Sequence, residues 1–354
     1  MILVMSKRAV MLSKEQYELM TLYLASFYDV DLYERHGVQH PLVNYAPQAE
    51  QVKDIDSILG HFSPDIVGVD SMVFYNYAYL HTLQNSNPYL FNGTTFVLKR
   101  LRTNPLRIDA VLGKYFDMLA TCAWLEEELL EVISTGAIRL AMRSQYHRGI
   151  AMKMALTHGK ERSAAIGCAM LVVFNDAGIY KGIIARRTEI HGTHPHALHV
   201  MPAFIFQQMG ETMQAHEWSI KYHAYREWLE EFFGMAEGDS AMNSHPALLD
   251  LQGMEAEGRA EMCLTGISMN LLTLRPEINI VLVIHDREWW QRVQSGQEAY
   301  QLNMPETNEK LLLIPIDSDE AILSVLPEDY YLKIVPQAIP ALWEGIDMAR
   351  KLIR

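Results

Sequence analysis

The chain has 354 residues, 49% of them hydrophobic, so it can bury a sizeable core and is long enough for two domains. Its formal net charge of -13 argues against nonspecific binding to nucleic-acid backbones, which requires clustered lysine and arginine; "KRLR" (99–102) and "ARR" (185–187) are short. A small nucleotide stays open as a ligand, because a divalent metal can bridge like charges.

Cys122, Cys168 and Cys263 lie far apart, an odd count without the close pairing of zinc motifs. They read as reduced core thiols of a cytoplasmic protein. The opening "MILVMSKRAVML" is interrupted by Lys7 and Arg8, so no signal sequence is expected. The longest uncharged apolar run, 164–174, has 11 residues, short of a bilayer span, and no membrane segment is expected.

In chain order, residues 1–150 read as a mostly helical N-terminal domain. Ser13 and Gln16 have the form of a capping box opening a helix from Lys14 to about Tyr28. Helical spacing recurs in 47–62 at Val52, Ile55, Ile58 and Leu59, and a sustained apolar stripe predicts a helix from about Arg107 to Ser134, stopped by Gly136. Between these, an aromatic- and amide-rich stretch has turn signals at Asn85–Pro88 and Asn92–Gly93.

From about Ser163 the pattern changes to strands. Residues 168–174, a turn at 175–178 and residues 179–187 read as a β-hairpin. A histidine-rich loop, a third strand at 198–207 and an amphipathic helix from about His216 to Phe233, closed by Gly234, follow. Further strands are expected at 261–274, 278–284 and 310–316, and a last helix from about Pro340 to Leu352.

Within the helix expected from about His216 to Phe233, Arg226-Glu227-Trp228-Leu229-Glu230-Glu231 matches R-E-U-x-E-E without a gap. With the hairpin and third strand before it, this stretch resembles the core of the box of Nudix hydrolases, G-x5-E-x7-R-E-U-x-E-E-x-G-U. Gly210 and Glu217 are each one residue out of register with that pattern, and Gly234 comes one position late. The family's Pro-Gly-Gly before the helix reads Pro202-Ala203-Phe204 here.

The resemblance implies a Nudix-like α/β/α sandwich with a mixed sheet over 163–354. It implies Glu227, Glu230 and Glu231 as ligands of Mg²⁺ or Mn²⁺, with Glu230, Glu231 and Arg226 in the catalytic role and Arg226 holding a glutamate by an ion pair. Glu217 would be an outer ligand. The implied activity is metal-dependent pyrophosphohydrolysis of a nucleoside diphosphate linked to another group, the metal stabilising charge on the phosphoryl oxygens and activating water. The altered borders leave a second reading, a noncatalytic Nudix-fold nucleotide sensor or adaptor whose N-terminal region contacts a protein partner. Arg187, at the end of the second strand, is a substrate-binding candidate.

At about 100° per residue, Tyr222, Tyr225, Trp228, Leu229, Phe232 and Phe233 share one arc of the helix and the three glutamates the opposite one. That spacing suits a metal site and equally a solvated face of an amphipathic helix. The residues His191, His194, His196 and His199 crowd one loop, where imidazoles could ligate a transition metal. The plainer reading is a polar loop; an intermediate one has His194 or His196 touching a substrate phosphate or acting as a base. No G-x-S-x-G elbow, phosphate loop or dinucleotide-binding glycine motif occurs.

Overall fold

The computed structural model describes residues 12–68, 75–86, 90–135, 140–187, 194, 196–210, 215–236, 242–296 and 311–353. The Gly136 helix stop, part of the turn at Asn85–Pro88, and His191 lie outside them. The described chain is mixed α and β. Among the described residues no helix is long and apolar enough to cross a membrane, and all three cysteines are free and buried.

The first helix, α1 (Lys14–Tyr28), carries the capping box, with Ser13 Oγ accepting from the Gln16 amide and Gln16 Oε1 from the Ser13 amide. A small hairpin, β1 (Glu34–Arg35) and β2 (Val38–Gln39), precedes β3 (Leu42–Tyr45) and β4 (Leu59–Ile66). Helix α2 (Tyr77–Ser86) leads to β5 (Thr94–Thr103) and β6 (Leu106–Lys114). The N-terminal region is therefore not mostly helical, and two expectations need correction. Residues 47–62 form short 3-10 turns and then strand, and Arg107–Lys114 belong to β6, paired antiparallel with β5. Val111 and Leu112 satisfied the helical stripe by spacing, but residue-by-residue pairing with β5 makes this stretch a strand of a β4-β6-β5 sheet. The helix begins only at Tyr115, as α3 (Tyr115–Met118), and passes through a π-helical stretch, Leu119–Ala123, into α4 (Trp124–Thr135).

Helices α5 (Ala141–Gly149) and α6 (Met152–Ala155) lead into the larger sheet. Strands β7 (Gly167–Asp176) and β8 (Ile179–Arg186) form the expected hairpin, whose turn places Ala177 and Gly178 at positive φ. The two strands pair only from Val173 to Asp176 and then diverge. The third strand fills that gap in two pieces, β9 (Leu198–Val200) on β8 and β10 (Ala203–Ile205) on β7. Helix α7 (Ile220–Glu227) and a π-helical turn, Trp228–Phe232, follow, then α8 (Pro246–Ala256). Strands β11 (Ala260–Asn270) and β12 (Arg275–Ile284) form a second hairpin, with β12 parallel to β7. After α9 (Trp289–Gln294) come β13 (Leu312–Pro315), α10 (Asp319–Val325) and α11 (Ala338–Ile353).

The sheet order is β13-β8-β7-β12-β11-β3. Its central strands β7 and β12 are apolar and buried along nearly their whole length, as strands covered on both faces must be. Leu171 lies against Gly345 of α11, while Phe174 packs on Trp289 and Trp290 of α9. Residues three apart on a strand face opposite sides, so helices cover both faces. The smaller sheet joins this body through β5: the Phe96 amide donates to Phe206 O and the Ile166 amide to Phe96 O, both at 2.9 Å.

Two fully buried arginines hold the turn between β11 and β12. Arg143 donates to the carbonyls of Leu125, Leu271 and Leu272 and to the Tyr28 hydroxyl. Arg162 donates to Leu274 O, Ala155 O and Tyr146 Oη. Arg143→Met leaves buried carbonyls without donors, and urea denaturation should show a loss of about 3 kcal/mol or more; an unchanged midpoint would show that other groups satisfy them.

Candidate functional site

Ser219 caps α7 by accepting from the Tyr222 amide, and Asp56 in turn accepts from Ser219 Oγ at 2.7 Å, anchoring the helix start to the N-terminal part. The ring of Trp218 stacks on Phe96. In the same aromatic cluster, Phe204 and Phe206 of the third strand pack against His223. The helix is thus enclosed from both sheets. Burial holds His223 well below the ordinary histidine range, with Arg226 adding to the effect, and its Nε2 lies 2.8 Å from Glu217 O.

The enclosure changes the setting of the carboxylates. A solvated glutamate face is not what forms: Glu227 is buried, and Glu230 and Glu231 are half-buried. The aromatic arc packs inward, with Trp228 stacked on Trp289 at 5.6 Å. Buried carboxylates require compensation, and the chain supplies it. Arg226, itself 5% exposed, bonds Glu227, and its Nε lies 3.5 Å from Glu230 Oε1. Glu231 Oε1 accepts from the Ala203 amide at 3.1 Å. Ala203 and Phe204 therefore occupy β10, and the position of the missing Gly-Gly is tied to the last glutamate of the box. The π-helical turn starts at Trp228, directly before Glu230 and Glu231; such turns recur at functional sites.

Carboxylate oxygens are the donors Mg²⁺ and Mn²⁺ prefer. The arrangement does not fit such an ion: one guanidinium engages Glu227 and Glu230, and Glu231 is turned to a backbone amide. Among the described residues, no three or more His, Cys, Asp or Glu side chains are grouped so as to hold a metal. Glu217 is buried and accepts from the Met209 amide at 3.3 Å.

The substrate-binding candidates separate. His196 is exposed at positive φ, its amide donating to Arg187 O. His199 is buried, its Nδ1 2.9 Å from Val200 O. His194 instead lines a pocket with Ala123, Glu126, Asn270, Thr273, Arg275, Glu277 and Gln337, and Arg187 is coupled to it through the charges of Glu277 and Arg275. Burial disfavours charge on His194, but Glu126, 3.2 Å away, outweighs this and raises its pKa. Burial lowers the pKa of Arg187, against which the charges of Glu231 and Glu277 act. Arg187 thus stands electrostatically between the box and the pocket.

Glu277 is the residue the sequence reading missed. It falls between the stretches expected as strands, beside Pro276. The available signal was a lone acid at the head of an apolar run. Its 6% exposed carboxyl group occupies the space a side chain at position 167 would fill: a Cβ on Gly167 would lie 2.1 Å from Oε2. Burial pushes its pKa up to about 7, opposed by Arg275 and Arg187. Arg275, Glu126 and Gly167 were equally unmarked.

The chain matches no family model and no curated protein.

Replacing the compensating cation by Arg226→Met leaves Glu227 buried and uncompensated, and denaturant titration should show a loss of about 3 kcal/mol. Glu277 gives a pH signature. Its folded pKa lies above its ordinary 4.5, so the contribution of Glu277 to stability is full below pH 4.5 and is lost as pH rises toward 7. Glu277→Gln, which cannot ionise, should be more stable than wild type at pH 8 by about 2 kcal/mol and indistinguishable at pH 4. Parallel stability–pH curves for the two proteins would contradict the burial argument.

Proposed function

We propose that residues 163–354 are a Nudix-like domain that binds a small nucleotide-type ligand without hydrolysing it, and that residues 1–150 carry the contact with a protein partner. The observation behind this reading is the internal compensation of the box: Arg226 engages Glu227 and Glu230, and the Ala203 amide engages Glu231. A metal centre needs those carboxylates turned together toward a cation. The order of hairpin, divided third strand and Arg226–Glu231 helix supports the relationship to the Nudix pattern, and Arg187 and His194 supply positive charge toward the neighbouring pocket.

A second reading is the metal-dependent hydrolase of a nucleoside diphosphate linked to another group. Its support is the half-burial of Glu230 and Glu231 on a π-helical turn. In that case Glu227, Glu230 and Glu231 hold Mg²⁺ or Mn²⁺, Glu230, Glu231 and Arg226 act in catalysis, and Arg187, His194 and His196 bind substrate. It requires Arg226 to release its glutamates.

Calorimetry and product analysis on a panel of nucleoside diphosphate derivatives, with Mg²⁺ or Mn²⁺ present, separate the two. The first reading expects saturable binding, no turnover, and unchanged affinity in Glu230→Gln and Glu231→Gln. Metal-dependent release of a nucleoside monophosphate or phosphate, lost in both variants while folding persists, would establish the hydrolase instead.

A further inference from the structure

The pocket at the head of β12 has its own chemistry, independent of the box. Its wall is the β11–β12 turn: Asn270, Thr273, Arg275 and Glu277 line it, with Glu126 and His194 across from them. Arg275 donates through Nε to Ala165 O at 3.1 Å, and its terminal nitrogens make no hydrogen bond or ion pair among the described residues. The Glu277 carboxyl group, 6% exposed, likewise has no hydrogen-bond partner among them. The Gln337 side-chain carbonyl accepts from Asn270 at 3.0 Å, leaving its amide N–H groups as donors. Guanidinium and amide donors thus meet a carboxyl group that nothing in the described chain binds.

We propose that this pocket binds the oxyanion group of a small acidic molecule, held between the Arg275 guanidinium and the Glu277 carboxyl group. The charges around it admit an anion once Glu277 is protonated. His194 and Glu126 pair with each other, with Glu127 also acting on His194, and Arg187 faces Glu231 as well as Glu277. Tyr115, Cys122 and Cys168, further titratable groups near this cluster, are all pushed up by burial and stay neutral. Arg275 is left opposite Glu277. An ionised Glu277 offsets it; a protonated Glu277 leaves the guanidinium uncompensated and adds an O–H donor to the ligand. Gly167 leaves room for either form. Binding is therefore coupled to proton uptake, and the site does not depend on the Nudix-like reading.

Sulfate is the probe, because its charge is constant over the range used. Titration calorimetry on the full chain should give saturable binding about tenfold tighter at pH 6 than at pH 8, following the protonated fraction of a group that titrates near 7. Glu277→Gln should show a smaller pH difference than the wild type, the remainder following the charge of His194. Arg275→Gln, which keeps a donor for Ala165 O, should lose binding at both, with circular dichroism showing an unchanged fold. Glycerol phosphate at pH 6 distinguishes sources: tighter binding than sulfate assigns the site to a phosphorylated molecule, and equal binding to the free ion. Absence of saturable sulfate binding at pH 6, undiminished binding in Arg275→Gln, or an unchanged pH response in Glu277→Gln would overturn the proposal.

Discussion

The turn between β11 and β12 depends on two arginines with no access to solvent. Arg143 and Arg162 converge on the carbonyls of Leu271, Leu272 and Leu274, and Leu274 itself sits at positive φ. A buried guanidinium is tolerated when its donors are matched, and here every nitrogen but Arg143 Nε has a partner, among them the backbone oxygens of the turn. The same side chains reach Tyr28 of α1, Leu125 of α4, Tyr146 of α5 and Ala155 of α6. Four helices from the N-terminal half are thereby fastened to the strand hairpin that carries Arg275 and Glu277. The pocket lies where they are because the turn cannot move independently of those helices.

A second constraint acts on α7. Packed on the smaller sheet and the third strand through Trp218 and His223 and on α9 through Trp228, the helix leaves its glutamates largely out of water, so each needs a partner nearby. Arg226 and the Ala203 amide provide them at a distance no larger than one turn or one strand position. Phe204 contributes through its ring, which helps to bury His223. The substitution that marks the altered border of the box is thus part of the core that encloses it, and the carboxylates follow from that enclosure.

Arg187 connects these two regions. It stands at the end of β8, where β7 and β8 have separated and β9 and β10 have entered the gap, and it feels both Glu231 and Glu277. Charge placed in the pocket therefore acts on the group next to the box, and the reverse.

Much of the β framework after residue 163 was legible from residue order, whereas the six strands before it were not. The hairpin at 167–186 declared itself by apolar runs around an Asn-Asp-Ala-Gly turn, and the capping box of α1 by Ser13 and Gln16. Residues 107–114 misled because apolar spacing in a short run fits either period, and pairing with β5 decided for strand. The site was legible in part: Arg226 and its glutamates stand together in sequence, and the helical period places them on one face. Sequence alone therefore determined which charges share a turn, because the backbone period is local. Whether that face met water or protein, and that Glu277 would lie beside Gly167, Arg275 and a helix 150 residues earlier, was decided only by tertiary packing. Burial and long-range electrostatics depend on what the rest of the chain brings to the same place.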